Sequence, residues 1–170
     1  TADPAAITIR LTSSAIGLLP VCLSFWLVRR VAPEDGRRAW LAAALLLFLP
    51  VQIYMSAMLN EEIIASALIS IVIVGTCFEW MRASEDGRGG IGWRALGLGI
   101  AGGLAILTKL SGVLVLAAAV GTALLAGFRG HQMRKALGWS TVLIATAALV
   151  GGWYYARNLA NWGYLYPQDL

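Results

Sequence analysis

The sequence predicts an all-α, polytopic transmembrane helix bundle of about six spans. Three observations lead there. Hydrophobic residues make up 59% of the chain and charged residues 13%, and mean hydropathy is +0.74, whereas soluble domains carry roughly 45–50% apolar and about 25% charged residues. The apolar residues come in runs near the ~20 that one helix needs to cross a bilayer. Ten of the thirteen Lys and Arg residues fall in every second gap between those runs. That last pattern argues against a nucleic-acid binder, because the net charge of +4 is divided among short gaps and not gathered on one soluble face.

The first run is Leu11–Val28, preceded by Arg10. Arg29, Arg30, Arg37 and Arg38 surround the polar turn that follows. The second run, Ala39–Leu59, contains Pro50, which lacks a backbone donor and is expected to kink the helix. Asn60, Glu61 and Glu62 lead into the third run, Ile63–Met81. Arg82, Arg88 and Arg94 flank the next gap, whose glycines GRGGIG at 87–92 read as a flexible turn. The fourth run, Trp93–Thr108, is short and Gly-rich, and its Gly99–Gly103 step suits close helix packing. Lys109 separates it from the fifth run, Leu110–Phe128. Arg129, Arg134 and Lys135 precede the sixth, Ala136–Ala156, with His131 a solvated residue of the same gap. The tail carries Arg157, Asn158 and a turn at Asn161-Trp162-Gly163-Tyr164.

Short loops rich in Lys and Arg stay in the cytoplasm. The ten clustered cations therefore assign their three gaps to the cytoplasm. The 59–62 and 108–112 turns and both ends of the chain then face a periplasm or lumen, as in a bacterial inner membrane protein whose working side is external. Trp26, Trp40, Trp80, Trp93 and Trp139 fall at the inner interface, and Trp153, Tyr154, Tyr155, Trp162, Tyr164 and Tyr166 at the outer one, as aromatic belts do. Cys22 and Cys77 lie inside apolar runs, so neither a disulfide framework nor a Cys/His metal site is expected. The opening TADPAAITIR has no initiator Met and no basic n-region, so it does not read as a signal peptide, and an internal piece of a longer membrane protein is expected.

The cations that topology does not require, Arg10, Lys109 and Arg157, then become informative. Asn60 is placed to cap a helix whose first turn holds Glu61 and Glu62, where the dipole favours negative charge. The same carboxylates could hold a divalent metal, orient an acceptor or act as a general base. Lys109 ends a span at the outer surface, where its stem can stay apolar while the ammonium reaches water. It is equally well set to meet a lipid phosphate. Arg157 could anchor a helix end, or clamp phosphate oxygens in bidentate fashion. Arg10 sits where positive charge is disfavoured, which suggests a partner such as Glu61 or a phosphate.

The order of these residues resembles a known group. Arg10-Leu11 opens a span; LP-x5-S-x3-NE runs from Leu49 to Glu61; GLAILTKLSG runs from Gly103 to Gly112; GWYYARN ends at Asn158. The chain is similar to the GT-C superfamily of membrane glycosyltransferases that use a polyprenyl-phosphate-linked sugar. Within it, the chain resembles the dolichyl-phosphate-mannose–protein mannosyltransferase and aminoarabinose transferase families. The resemblance implies transfer of a sugar from a lipid phosphate carrier to an acceptor on the outer face, with inversion at the anomeric centre. It matches Glu61, with Asn60, to an acidic residue beside the active site, Lys109 to a lysine near the carrier phosphate, and Arg157-Asn158 to an R-N pair before a YGDP-like turn. Here that turn reads Trp162-Gly163-Tyr164-Leu165-Tyr166-Pro167, without the Asp. It also implies that the principal catalytic Asp belongs to a first outer loop preceding Thr1, since nothing around Asp3 resembles that motif. Two other functions would share the architecture: a transporter or flippase fragment, and a non-catalytic membrane subunit. The acceptor is left open.

Overall fold

The computed structural model describes residues 4–57, 61–86 and 92–165. Asp3, Asn60, Arg88, the glycines at 87–90, Tyr166 and Pro167 lie outside the described residues. Everything described is helix or short turn. The helices are α1 (Pro4–Val31), α2 (Gly36–Leu47), α3 (Pro50–Ala57), α4 (Glu61–Asp86), α5 (Trp93–Thr108), α6 (Gly112–Arg129), α7 (Met133–Ala147) and α8 (Trp153–Trp162), with a π-helical turn, Ala148–Gly152, joining α7 to α8. The chain is an all-α integral membrane bundle. Four helical stretches are long and apolar enough to cross a membrane: Ile7–Val31, Glu61–Arg82, Gly112–Arg129 and the continuous Met133–Trp162. The bent pair α2–α3 makes a fifth. The sixth expected span, α5, has 16 residues and so a length of about 24 Å, short of the ~30 Å of a bilayer core.

The chain divides into two units, Thr1–Phe78 and Glu79–Leu170. In the first, α1 packs on α2 and α3. The break expected at Pro50 is real: α2 ends at Leu47 with Phe48 as its C-cap, Pro50 opens α3, and the two axes differ by 57°. Proline is well suited to the first turn of a helix, where its missing donor costs nothing. Polar contacts then fasten α3 to α1. Gln52 Nε2 donates to the Gly17 carbonyl at 2.7 Å and Ser14 Oγ to the Ser56 carbonyl at 3.3 Å. Pro20, inside the same helix, removes the donor to the neighbouring Ile16 carbonyl. Arg10 does not precede the first span, as the apolar run suggested. It lies inside α1, because the helix continues past the apolar residues at both ends.

In the second unit α5 packs on α6, α7 and the π turn, and α6 packs on α7. Small residues set the distance. Added Cβ atoms would stand 2.8 Å from the Leu143 carbonyl oxygen at Gly99, and 2.8 Å from that of Ala147 at Gly103. Gly99 and Gly103 thus form the packing step expected of them, against α7. At the cytoplasmic gap as read from the sequence, Arg94 Nη1 meets the buried Glu79 carboxylate at 2.9 Å, joining the end of α4 to the start of α5. The side chain of Glu79 is 9% exposed and that of Arg94 47%. Arg94→Gln is therefore expected to destabilise the protein by about 1–3 kcal/mol, by leaving a buried acceptor without its charged donor. The Glu79→Gln, Arg94→Gln double variant should recover part of that loss. Unfolding by SDS titration in mixed micelles measures both.

Candidate functional site

The site is built from helix ends of the second unit. A helix leaves its last four carbonyls without intrahelical partners, and α5 ends at Thr108. Two groups satisfy the Ala105 carbonyl: Lys109 N at 2.8 Å and Thr108 Oγ1 at 2.8 Å. Lys109 is extended, with φ −155° and ψ 131°. The chain then reverses tightly, with Gly112 N donating to the Lys109 carbonyl at 2.9 Å. A Cβ at Gly112 would stand 2.8 Å from Ile106 N, so this reversal closes against the α5 backbone only with glycine. The Ile106 carbonyl accepts from the Tyr155 hydroxyl at 2.6 Å. Tyr155 is buried on α8.

That one bond links two helix ends. Lys109 follows Ile106 by three residues, and Arg157 and Asn158 follow Tyr155 by two and three. All three expected residues therefore lie toward one end of the second unit. Lys109 and Arg157 are exposed. The Arg157 guanidinium carbon lies 5.8 Å from the ring centroids of both Trp153 and Tyr154, within cation–π range. These rings hold the guanidinium close to the helix, and among the described residues no acceptor engages its N–H groups. Asn158 differs: it is 0% exposed, and its Nδ2 donates to the Leu165 carbonyl at 3.4 Å. Its Oδ1 is buried without a partner among the described residues. It braces the turn after α8, whose Gly163 is left-handed at φ 75° and donates its N–H to the Leu159 carbonyl. Substrate contact is not open to it in this arrangement.

The other candidates belong to the first unit. Glu61 and Glu62 occupy the first turn of α4, and Glu61 is exposed. Arg10 is exposed on α1, and among the described residues no ion pair joins it to Glu61. Neighbouring helix residues project about 100° apart, so Glu61 and Glu62 alone do not form a cage for a divalent metal, which takes six or more oxygens. Among the described residues no three His, Cys, Asp or Glu side chains come together to hold an ion. Sequence reasoning missed Tyr155, which it counted with the aromatic belt. The signal was its place in WYYARN, one turn from Arg157. It also missed the π turn, for which the Gly151-Gly152 pair within an apolar span was the available sign.

These features define a multi-pass membrane protein whose helix ends present exposed cations at one end of a glycine-packed unit. The family model for dolichyl-phosphate-mannose-protein mannosyltransferase matches residues 3–155, and the chain belongs to that family of membrane glycosyltransferases. The matched stretch includes Arg10, Asn60, Glu61 and Lys109 and ends two residues before Arg157. Comparison with curated proteins and with solved structures returned no match.

Proposed function

We propose that the protein, as part of a longer chain, transfers a sugar from a polyprenyl-phosphate carrier to an acceptor on the external face of a bacterial inner membrane. Lys109 and Arg157 hold the carrier phosphate. Acceptor attack on the anomeric carbon breaks the bond to the phosphate oxygen, and the electron pair leaves with the carrier. Cations fixed beside the leaving oxygens stabilise the charge as it develops. Glu61 accepts or orients the acceptor's proton. Arg10 and Asn60 are the first unit's further polar candidates for substrate, and Asn158 positions the turn beside Arg157. What supports the reading is the 2.6 Å bond from Tyr155 to Ile106, which ties the helix end bearing Lys109 to the helix bearing Arg157.

The test is sugar transfer by the full-length protein in proteoliposomes, with radiolabelled polyprenyl-phosphate mannose as the first donor. Lys109→Met is expected to lower kcat/KM about 10²-fold, in line with loss of one charge-stabilising donor. Unchanged turnover would remove Lys109 from the reaction and leave its ammonium a surface anchor.

A further inference from the structure

We infer that the turn between α1 and α2 holds the phosphodiester headgroup of an anionic glycerophospholipid, in a site separate from sugar transfer. An open groove of about 640 Å³ there is lined by Asp35, Arg37, Arg38, Trp40, Leu41 and Ala44. Its chemistry is graded. Arg37, Leu41 and Ala44 are spaced i, i+4 and i+7 along α2, so they share one helix face. A cation stands at the top of that face and apolar side chains run below it. Trp40 is 70% exposed and Leu41 61%, while the Trp40 ring is steadied against Phe25 at a centroid distance of 4.9 Å. A ligand that fills this groove carries an anion at one end and an alkyl chain at the other. Only a molecule already in the membrane reaches the lower part.

The charge balance supports the same ligand. The one carboxylate lining the groove is engaged: Asp35 Oδ1 accepts from Arg37 N at 3.1 Å and Oδ2 from Arg38 Nε at 2.9 Å. The Arg37 guanidinium has no protein partner among the described residues. The first turn of α2 holds two arginines and no acid, which is the wrong sign for the positive end of a helix dipole. Helix stability does not ask for these cations. Topology is already served by Arg29 and Arg30 at the end of α1. The turn is also held in shape before any ligand arrives: Arg29 Nη1 donates to the Pro33 carbonyl at 3.3 Å, and Asp35 N to the Ala32 carbonyl at 3.3 Å. A guanidinium beside backbone N–H groups suits phosphate oxygens, and basic pockets at the cytoplasmic surface bind anionic headgroups.

Native mass spectrometry of the full-length protein, titrated with phosphatidylglycerol or with phosphatidylcholine of the same acyl chains, tests this. One phosphatidylglycerol should be retained in preference. Arg37→Gln should weaken that binding about fivefold, the effect of one cation near a headgroup surface. The variant leaves the Asp35–Arg38 pair intact and removes an unfavourable charge from a helix start, so folding is preserved, as an unchanged melting temperature in neutral detergent would verify. The Arg134→Gln, Lys135→Gln variant, in another basic gap, should bind like the wild type. Equal retention of the two lipids, wild-type binding by Arg37→Gln, or an equal loss in the Arg134/Lys135 variant would each overturn the proposal. So would displacement of the lipid by glycerol phosphate at equal concentration, which would make this a soluble-anion site.

Discussion

Arg157→Met in the full-length protein is expected to reduce sugar transfer about 10²–10³-fold, the range for removing a fixed donor from a site of developing negative charge. The loss should appear in kcat/KM for the carrier-linked donor, with Arg157→Lys intermediate. A lysine keeps the charge but lacks the planar fork that grips two phosphate oxygens, and it stacks less well on aromatic faces. The structural reason for a large effect is the pair of rings, Trp153 and Tyr154, each 5.8 Å from the guanidinium carbon. They limit the positions this cation can take before a substrate arrives, so little of its binding free energy is lost to ordering. A drop of less than threefold in Arg157→Met would show that the residue only anchors its helix.

Gly151→Leu should be the most damaging single change to the second unit, costing about 3 kcal/mol through overpacking. A Cβ at 151 would stand 2.6 Å from the Gly103 carbonyl oxygen, and the next nearest atoms are also Gly103 backbone. Neither helix can yield there by rotating a side chain. The helices must separate, and the Tyr155–Ile106 bond lies just beyond the point where they part. Stability and donor binding should therefore fall together. Gly121→Leu is the matched control: nothing lies within 4 Å of its Cβ, and replacing a mid-helix glycine gains roughly 0.5–1 kcal/mol of propensity. SDS-titration unfolding of both variants reads the contrast directly.

Much of the architecture was legible because lipid imposes a simple code. Apolar runs marked the helices, Pro50 marked the break, and Gly99 and Gly103 marked a close approach. The code is weaker where helices leave the bilayer. Nothing in an apolar run tells a helix to stop at the interface, so α1 extends through Arg10 at one end and Arg29 and Arg30 at the other. Tryptophan shows the same limit. Trp26, Trp40 and Trp93 are exposed, as a belt requires, but Trp139 is buried and its ring meets Trp80 edge-on at 6.0 Å. Composition cannot separate a ring that faces lipid from one that faces a neighbouring helix. Tyr155 was hidden for that reason, among five other aromatic residues assigned to the outer interface. The polar candidates were legible individually as departures from topology. Their grouping was not, because the link between Lys109 and Arg157 runs through a backbone carbonyl and a hydroxyl that carry no charge pattern.

The brevity of α5 has a consequence for the membrane itself. Its 16 residues fall about 6 Å short of the hydrocarbon thickness, while the stretch Met133–Trp162 packed beside it has 30 residues and length to spare. Lipids next to the shorter helix must compress or tilt to match it, at a fraction of a kcal/mol per ångström. Lys109 follows the end of this short helix, so thinning of the bilayer there would bring headgroups toward its ammonium. Sugar transfer is therefore expected to be faster in shorter-chain vesicles than in thicker ones, which an activity series over acyl-chain length measures.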